Sequence, residues 1–232
     1  MALTPAFVLH RRPYRESSAL IQVLSWQFGK MSAVVRVKAS DQGILQPFVP
    51  LLIEIKGRSS LKTLTQVEAE SIAFPLSGEA LYCGFYVNEL LYHLLPEAEA
   101  FPLLYQKYQS ALLALARGEQ SSAAILRQFE LSLLTALGYA LPQDVDIHTD
   151  AYYCFVSGEG WIENRAAATG YPGYILQQLS HFDANDEQQC HWAKRLCREI
   201  LDDLLSGRVL QSRELLLQHR AMTDRRMHHD ES

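Results

Sequence analysis

The chain has 232 residues, 48% of them hydrophobic and 20% charged, a globular composition with room for one large domain or two or three small ones. No apolar run approaches the roughly 18 residues needed to cross a bilayer, and the N-terminal Met-Ala-Leu-Thr-Pro-Ala lacks the charged flank and apolar stretch of an export signal, so a cytoplasmic location is expected. The net charge of −5 argues against a polyanionic partner, yet residues 1–62 carry nine Lys and Arg against three acids, net +6, and residues 63–232 hold the balance of −11.

Such polarity suggests one basic working surface on an acidic body. The four cysteines, Cys83, Cys154, Cys190 and Cys197, form no close pairs and are read as reduced thiols.

From residue 2 to 67 the pattern is strand-like: short apolar or alternating runs broken by Arg-Pro, Phe-Gly, Gln-Gly and Lys-Gly turns. Strands are expected near residues 3–10, 19–24, 30–37, 48–55 and 61–67, which suits a small closed barrel of the oligonucleotide-binding (OB) type. In the third strand one face collects Lys30, Ser32, Val34, Arg36 and Lys38, the other Met31, Ala33, Val35 and Val37. The connection His10-Arg11-Arg12-Pro13-Tyr14-Arg15, expected to be a loop, adds three cations around an aromatic ring. A cationic groove with stacking aromatics is how single-stranded nucleic acid is held without reading sequence. Arg11, Arg12, Arg15, Lys30, Arg36, Lys38 and Lys62 are therefore candidate phosphate contacts. Tyr14 either stacks on a base or plugs the barrel end.

Beyond Leu76 the period becomes helical. Helices are expected over residues 78–95, stopped by Pro96; 101–117, with Pro102 in the first turn and Gly118 after it; and 122–137, capped by Ser121 or Ser122 and closed by Gly138. Short connections make these a compact antiparallel bundle. Asn88 and Glu89, mid-helix among apolar residues, read as structural polar contacts. The third helix carries Arg127, Gln128 and Glu130 on what reads as its wet side. Residues 142–173 read as irregular. A metal site of Asp144, Asp146, His148, Asp150 and Cys154 can be drawn there, but the paired Cys or His spacing of structural zinc is absent, so no metal is expected. Next come a short helix over 173–180, a long one capped by Asp186 with Gln189 and ended by Gly207, a last helix over about 212–219, and a polar, mobile tail from Met222 carrying Arg225, Arg226, His228 and His229. No phosphate-cradling Gly-rich loop, Gly-x-Gly-x-x-Gly, Gly-x-Ser-x-Gly or His-Glu-x-x-His occurs, so neither a catalytic residue nor a cofactor is nominated.

Several segments, in order, resemble the RecO family of bacterial DNA repair and recombination mediators. They are Ala6-Phe7-Val8-Leu9-His10 with Arg12-Pro13-Tyr14-Arg15-Glu16-Ser17-Ser18; Leu45-Gln46-Pro47-Phe48-Val49-Pro50-Leu51-Leu52; Leu61-Lys62-Thr63-Leu64; and Pro75-Leu76-Ser77-Gly78. Leu81-Tyr82-Cys83-Gly84-Phe85-Tyr86-Val87-Asn88-Glu89-Leu90-Leu91, Leu126-Arg127-Gln128-Phe129-Glu130-Leu131 through Leu137-Gly138-Tyr139, and Ser212-Arg213-Glu214-Leu215 complete the set. The resemblance implies an α+β multidomain protein: an OB-fold DNA-binding domain over 1–74, a helical bundle over 75–141, and an irregular segment with C-terminal helices over 142–232 packed on that bundle.

It further implies a non-enzymatic, monomeric protein that binds and anneals single- and double-stranded DNA. Such a protein works with RecR to load RecA on DNA coated by single-strand-binding protein (SSB), at the nucleoid during repair. The acidic SSB tail would dock on the helical domain at Arg127, with Phe129 and Glu130 beside it. The alternative is a protein adaptor with little DNA affinity of its own. Two departures stand out: the loop at residues 37–43 is shorter and less basic than in many relatives, and the four zinc-binding cysteines of some relatives are lacking.

Overall fold

A computed structural model describes residues 3–38, 41, 43–142, 147–164 and 169–230, with side chains through 222. Alternation of apolar and polar residues builds five strands: β1 (Thr4–Tyr14), β2 (Ser18–Ser25), β3 (Gly29–Arg36), β4 (Leu51–Lys56) and β5 (Lys62–Ala69). They close into a barrel in the order β1-β2-β3-β5-β4, with β3 and β5 parallel and the other pairs antiparallel. The expected OB-type barrel is thus present, and closure leaves its sheet without free edges. Inward positions such as Val8, Ile21, Ala33, Val35, Leu51 and Ile53 fill its core, as the face assignment of the third strand requires. One expectation fails: residues 10–14 are no loop but the second half of β1, because their backbone stays paired with β2 as far as Tyr14.

Helices α1 (Gly78–Leu94) and α2 (Pro102–Arg117) follow as expected, the second starting on its proline and ending at Gly118 in the left-handed region. The outward Phe7 of β1 is fully buried, with its ring 5.6 Å from that of Tyr105 and 5.0 Å from that of Tyr108, both on α2. The last helix, α6 (Gln211–Asp230), packs on α1 and runs well past the expected end at His219. Helical backbone thus replaces the mobile tail, although the side chains of Arg225, Arg226, His228 and His229 lie outside the described ones.

The chain divides into two compact units, one comprising the residues up to Glu119 with those from Leu210 onward, the other Gln120–Val209. In the second, α3 (Ser122–Ala136) packs on α5 (Glu187–Leu204), and α4 (Gly173–Ser180) joins them. Ser121 caps α3, its hydroxyl accepting from the Ala124 N–H at 3.2 Å, and Asp186 caps α5 in the same way through Gln189 at 3.0 Å. The segment read as irregular contains a three-stranded sheet, ordered β7-β6-β8: β6 (Tyr152–Val156), β7 (Gly160–Glu163) and β8 (Tyr171–Pro172). Strands this short carry too few residues for a period to stand out.

Candidate nucleic-acid interface

What β1 offers to the outside depends on a single bulge. Along its first half Ala6 and Val8 point into the core and Phe7 points out; between Val8 and His10 the register with β2 shifts by one residue. An inserted residue reverses the facing of everything after it. Beyond the bulge, Arg11 and Pro13 stand opposite the inward Ile21 and Ala19, while Arg12 and Tyr14 stand opposite the outward Leu20 and Ser18. The bulge is pinned from α1: the buried Asn88 amide donates to the carbonyls of Val8 (3.5 Å) and Leu9 (3.3 Å), and the Tyr108 hydroxyl of α2 donates to the Asn88 oxygen at 2.7 Å. The mid-helix asparagine is therefore the structural contact its position suggested.

Two cross-strand rows then run around the outside of the barrel. One passes from Arg12 through Leu20, Val34 and Thr63 to Lys56; the other joins Tyr14, Ser18 and Arg36. Half-exposed Leu20 and Val34 lie between the cations at the ends of the first row. The Arg15 guanidinium sits 5.1 Å from the centre of the Tyr14 ring, and Arg15 itself takes a left-handed φ of 56° in the β1–β2 turn. Lys38 is exposed, and its N–H donates to the Asp41 carboxylate at 3.4 Å. Residues 39, 40 and 42 of the shortened loop lie outside the described ones.

Three candidates are placed differently. Arg11 faces inward and donates to the Leu45 carbonyl at 3.2 Å. Lys30 is 8% exposed, with its ammonium donating to the Tyr92 carbonyl at 2.7 Å. Lys62 is half-buried and donates to the Gly57 carbonyl at 3.2 Å, bracing the β4–β5 turn. That turn adds Arg58, exposed, and Lys56, which lies 3.4 Å from Glu54. Neither was among the candidates. The signal for them was available, since the connection between strands four and five is one that OB barrels use for ligands.

In the second unit, Arg127 and Glu130 of α3 form an ion pair of 2.6 Å, but it is not the solvated pair that their spacing suggested. The Glu130 side chain is fully buried and that of Arg127 is 13% exposed; Phe129 is also buried. Glu130 lies against the Cys197 thiol of α5, which burial, with the adjacent carboxylate, pushes well above its ordinary pKa. Of the three residues, only Arg127 keeps some exposure. Its Nε–H has no acceptor among the described residues.

Asp144 and Asp146 lie outside the described residues, and among those described no group of three or more His, Cys, Asp or Glu stands together. The His148 N–H donates to the Tyr153 hydroxyl, and Cys154 lies beside Asn164 and the Thr169 carbonyl.

A closed five-stranded OB-type barrel bearing outward cations, joined to a helical body, defines an oligonucleotide-binding class of protein. Residues 1–72 match the family described as "Recombination protein O N terminal" and residues 75–214 that described as "Recombination protein O C terminal". The chain belongs to the recombination protein O (RecO) family. A "DNA repair protein RecO" of Tolumonas auensis is 40% identical over 224 residues, covering 92% of this chain and 94% of that one. Relatives with the same description from Coxiella burnetii (38%; 93% and 98% covered) and Pasteurella multocida (39%; 92% and 93%) are similar along most of their lengths. Family membership gives the protein a role in DNA repair and recombination.

Proposed function

We propose that the protein is a non-enzymatic recombination mediator that grips DNA on the outward rows of its barrel, the domain formed by residues 1–74. It anneals complementary strands there and helps RecR to load RecA on SSB-coated single strands in the cytoplasm, at the nucleoid during repair. The observation that carries this reading is the bulge-dependent rows, which bring Arg12, Tyr14 and Arg36 onto one outer face, with Lys56 at the far end. Phosphates would meet the guanidinium and ammonium groups, and bases would meet Tyr14 and the apolar strip of Leu20 and Val34. A salt series with labelled single-stranded DNA tests it. Arg12→Ala and Arg36→Ala should each flatten the log–log slope of affinity against salt by about 0.7; an unchanged slope in both removes the barrel as the DNA site.

The SSB tail is assigned to Arg127 alone among the three α3 residues. Phe129 and Glu130 are buried, so they act as packing and as the counter-charge that orients the guanidinium. An exposed edge of a guanidinium can grip a terminal carboxylate. Arg127→Ala should weaken binding of a peptide with the SSB C-terminal sequence by about 10- to 100-fold, corresponding to a charged hydrogen bond of about 1.5–3 kcal/mol. Unchanged binding retracts the assignment.

A second reading, an adaptor that meets DNA only through its partners, draws support from Lys30, whose ammonium is turned to a backbone carbonyl, and from Arg11, turned inward. Binding to SSB-coated but not to bare DNA would select it.

A further inference from the structure

Residues 96–100, which leave the end of α1, lie fixed against the outside of the barrel at the start of β3. Lys30 and Glu97 form a parallel bridge, and the Ala98 N–H donates to the Lys30 carbonyl at 2.8 Å. Gly29, at φ +70°, approaches the segment so closely that a Cβ there would stand 1.7 Å from the Glu99 carbonyl oxygen. The contact admits only glycine. It places a carboxylate on the outward face: Glu97 Oε1 accepts from the Ser32 hydroxyl at 3.0 Å, and Gln22 Nε2 donates to that hydroxyl at 2.5 Å.

Gln22 and Ser32 are ladder partners, two residues along from Leu20 and Val34, the middle of the row that begins at Arg12. Two residues of strand span about 7 Å. Glu97 makes no ion pair among the described residues, so its charge acts on whatever occupies the next row. That separation is inside a Debye length of about 8 Å at physiological salt. Past it, Lys30, the one cation of β3 at this end, is buried under Tyr92.

Resting on the reading that DNA lies on the barrel, we infer that Glu97 is a specificity-determining residue that ends the nucleic-acid track. A strand occupies the Tyr14 and Arg12 rows and is turned away at the Gln22–Ser32 row, where a phosphate would meet a carboxylate instead of a cation. The barrel therefore holds a short stretch, near the lower end of the roughly 4–16 nucleotides that one such fold covers.

The test uses the full-length protein, labelled oligothymidylates of about 5 and about 16 nucleotides, and a salt series for each. Glu97→Gln keeps the Ser32 hydrogen bond without the charge, and Glu97→Lys puts a cation at the same exposed position. With the longer oligonucleotide, Glu97→Lys should steepen the salt slope by about 0.7, one added phosphate contact, and leave the slope for the shorter one as it was. Glu97→Gln should tighten the longer oligonucleotide more than the shorter. Equal slopes for wild type and Glu97→Lys on the longer oligonucleotide, in a protein whose slope Arg36→Ala flattens, overturn the boundary and leave the barrel site standing. A slope that neither Arg12→Ala nor Arg36→Ala changes overturns the barrel site, and the boundary with it.

Discussion

Asn88 illustrates how much one side chain can decide. Its amide donates to two carbonyls at the bulge, those of Val8 and Leu9, and its oxygen accepts from the Tyr108 hydroxyl inside the core. Asn88→Leu removes these bonds and takes the acceptor from the fully buried Tyr108 hydroxyl, which costs about 1–3 kcal/mol and should appear as a lower urea midpoint. Because the bulge sets the facing of Arg12 and Tyr14, the same variant should also flatten the salt slope for DNA, an effect a purely structural asparagine would not have. Glu130 is the second case. Glu130→Ala strands the Arg127 charge and should destabilise by about 3–5 kcal/mol, while replacing both residues with leucine should come close to wild-type stability. Thermal unfolding of the two variants beside wild type distinguishes this buried pair from a surface one. The sequence shows both residues but not their burial: i, i+3 spacing allows a solvated pair, and only the packing of α3 on α5 puts the carboxylate beside Cys197.

At the level of elements, helix α6 is set by polar contacts made far away in sequence. Glu89 of α1 accepts from the N–H groups of Gln211 (3.0 Å) and Ser212 (2.9 Å) and from the Ser212 hydroxyl, supplying acceptors to donors that a helix start leaves orphaned. At one-turn spacing along α1, Arg213 lies over Tyr86, the ring of His219 lies 4.9 Å from that of Tyr82, and Arg220 meets Glu79 at 2.8 Å. Glu89→Ala should therefore loosen α6 from its first turn, by about 0.5–2 kcal/mol, and speed hydrogen exchange there while the barrel strands keep their protection. Helix α5 shows the matching pH effect. Hydrogen bonds from the Gln189 backbone and side chain hold the Asp186 carboxyl below its ordinary pKa. A lowered folded-state value means that the cap stabilises fully above about pH 4 and is lost as the pH falls through that folded value. Asp186→Asn should keep the cap and remove this acid dependence of α5 exchange. Helices with capping residues and a clear 3.6 period were legible almost to the residue. The β6–β7–β8 sheet was not, because it is held by tertiary ring contacts running from Tyr139 and Phe155 through Trp161 and Tyr171 to Trp192, which no local pattern announces. The extension of β1 was missed for a related reason: Pro13 and the cations read as a turn, whereas pairing with β2 carries the strand through them.

For the whole molecule, charge and architecture divide in the same sense, because the basic N-terminal segment is the barrel and Arg127 belongs to the other compact unit. Each unit has its own core: Ile21, Ala33 and Ile53 in the barrel, and Leu133 of α3 with Leu196 and Ile200 of α5 in the second unit. Arg36 and Arg127 belong to different units, and for independent sites free-energy changes should add. In the full-length protein, Arg36→Ala should weaken DNA binding and leave the affinity for an SSB-tail peptide unchanged; Arg127→Ala should do the reverse. The double variant should carry both losses, each within about 0.5 kcal/mol of its single-variant value. Calorimetric titration with peptide and fluorescence titration with DNA measure both on the same four proteins. A double variant that loses much more than the sum would mean that occupancy of one site is felt at the other, and the protein would then couple its two partners instead of merely holding them.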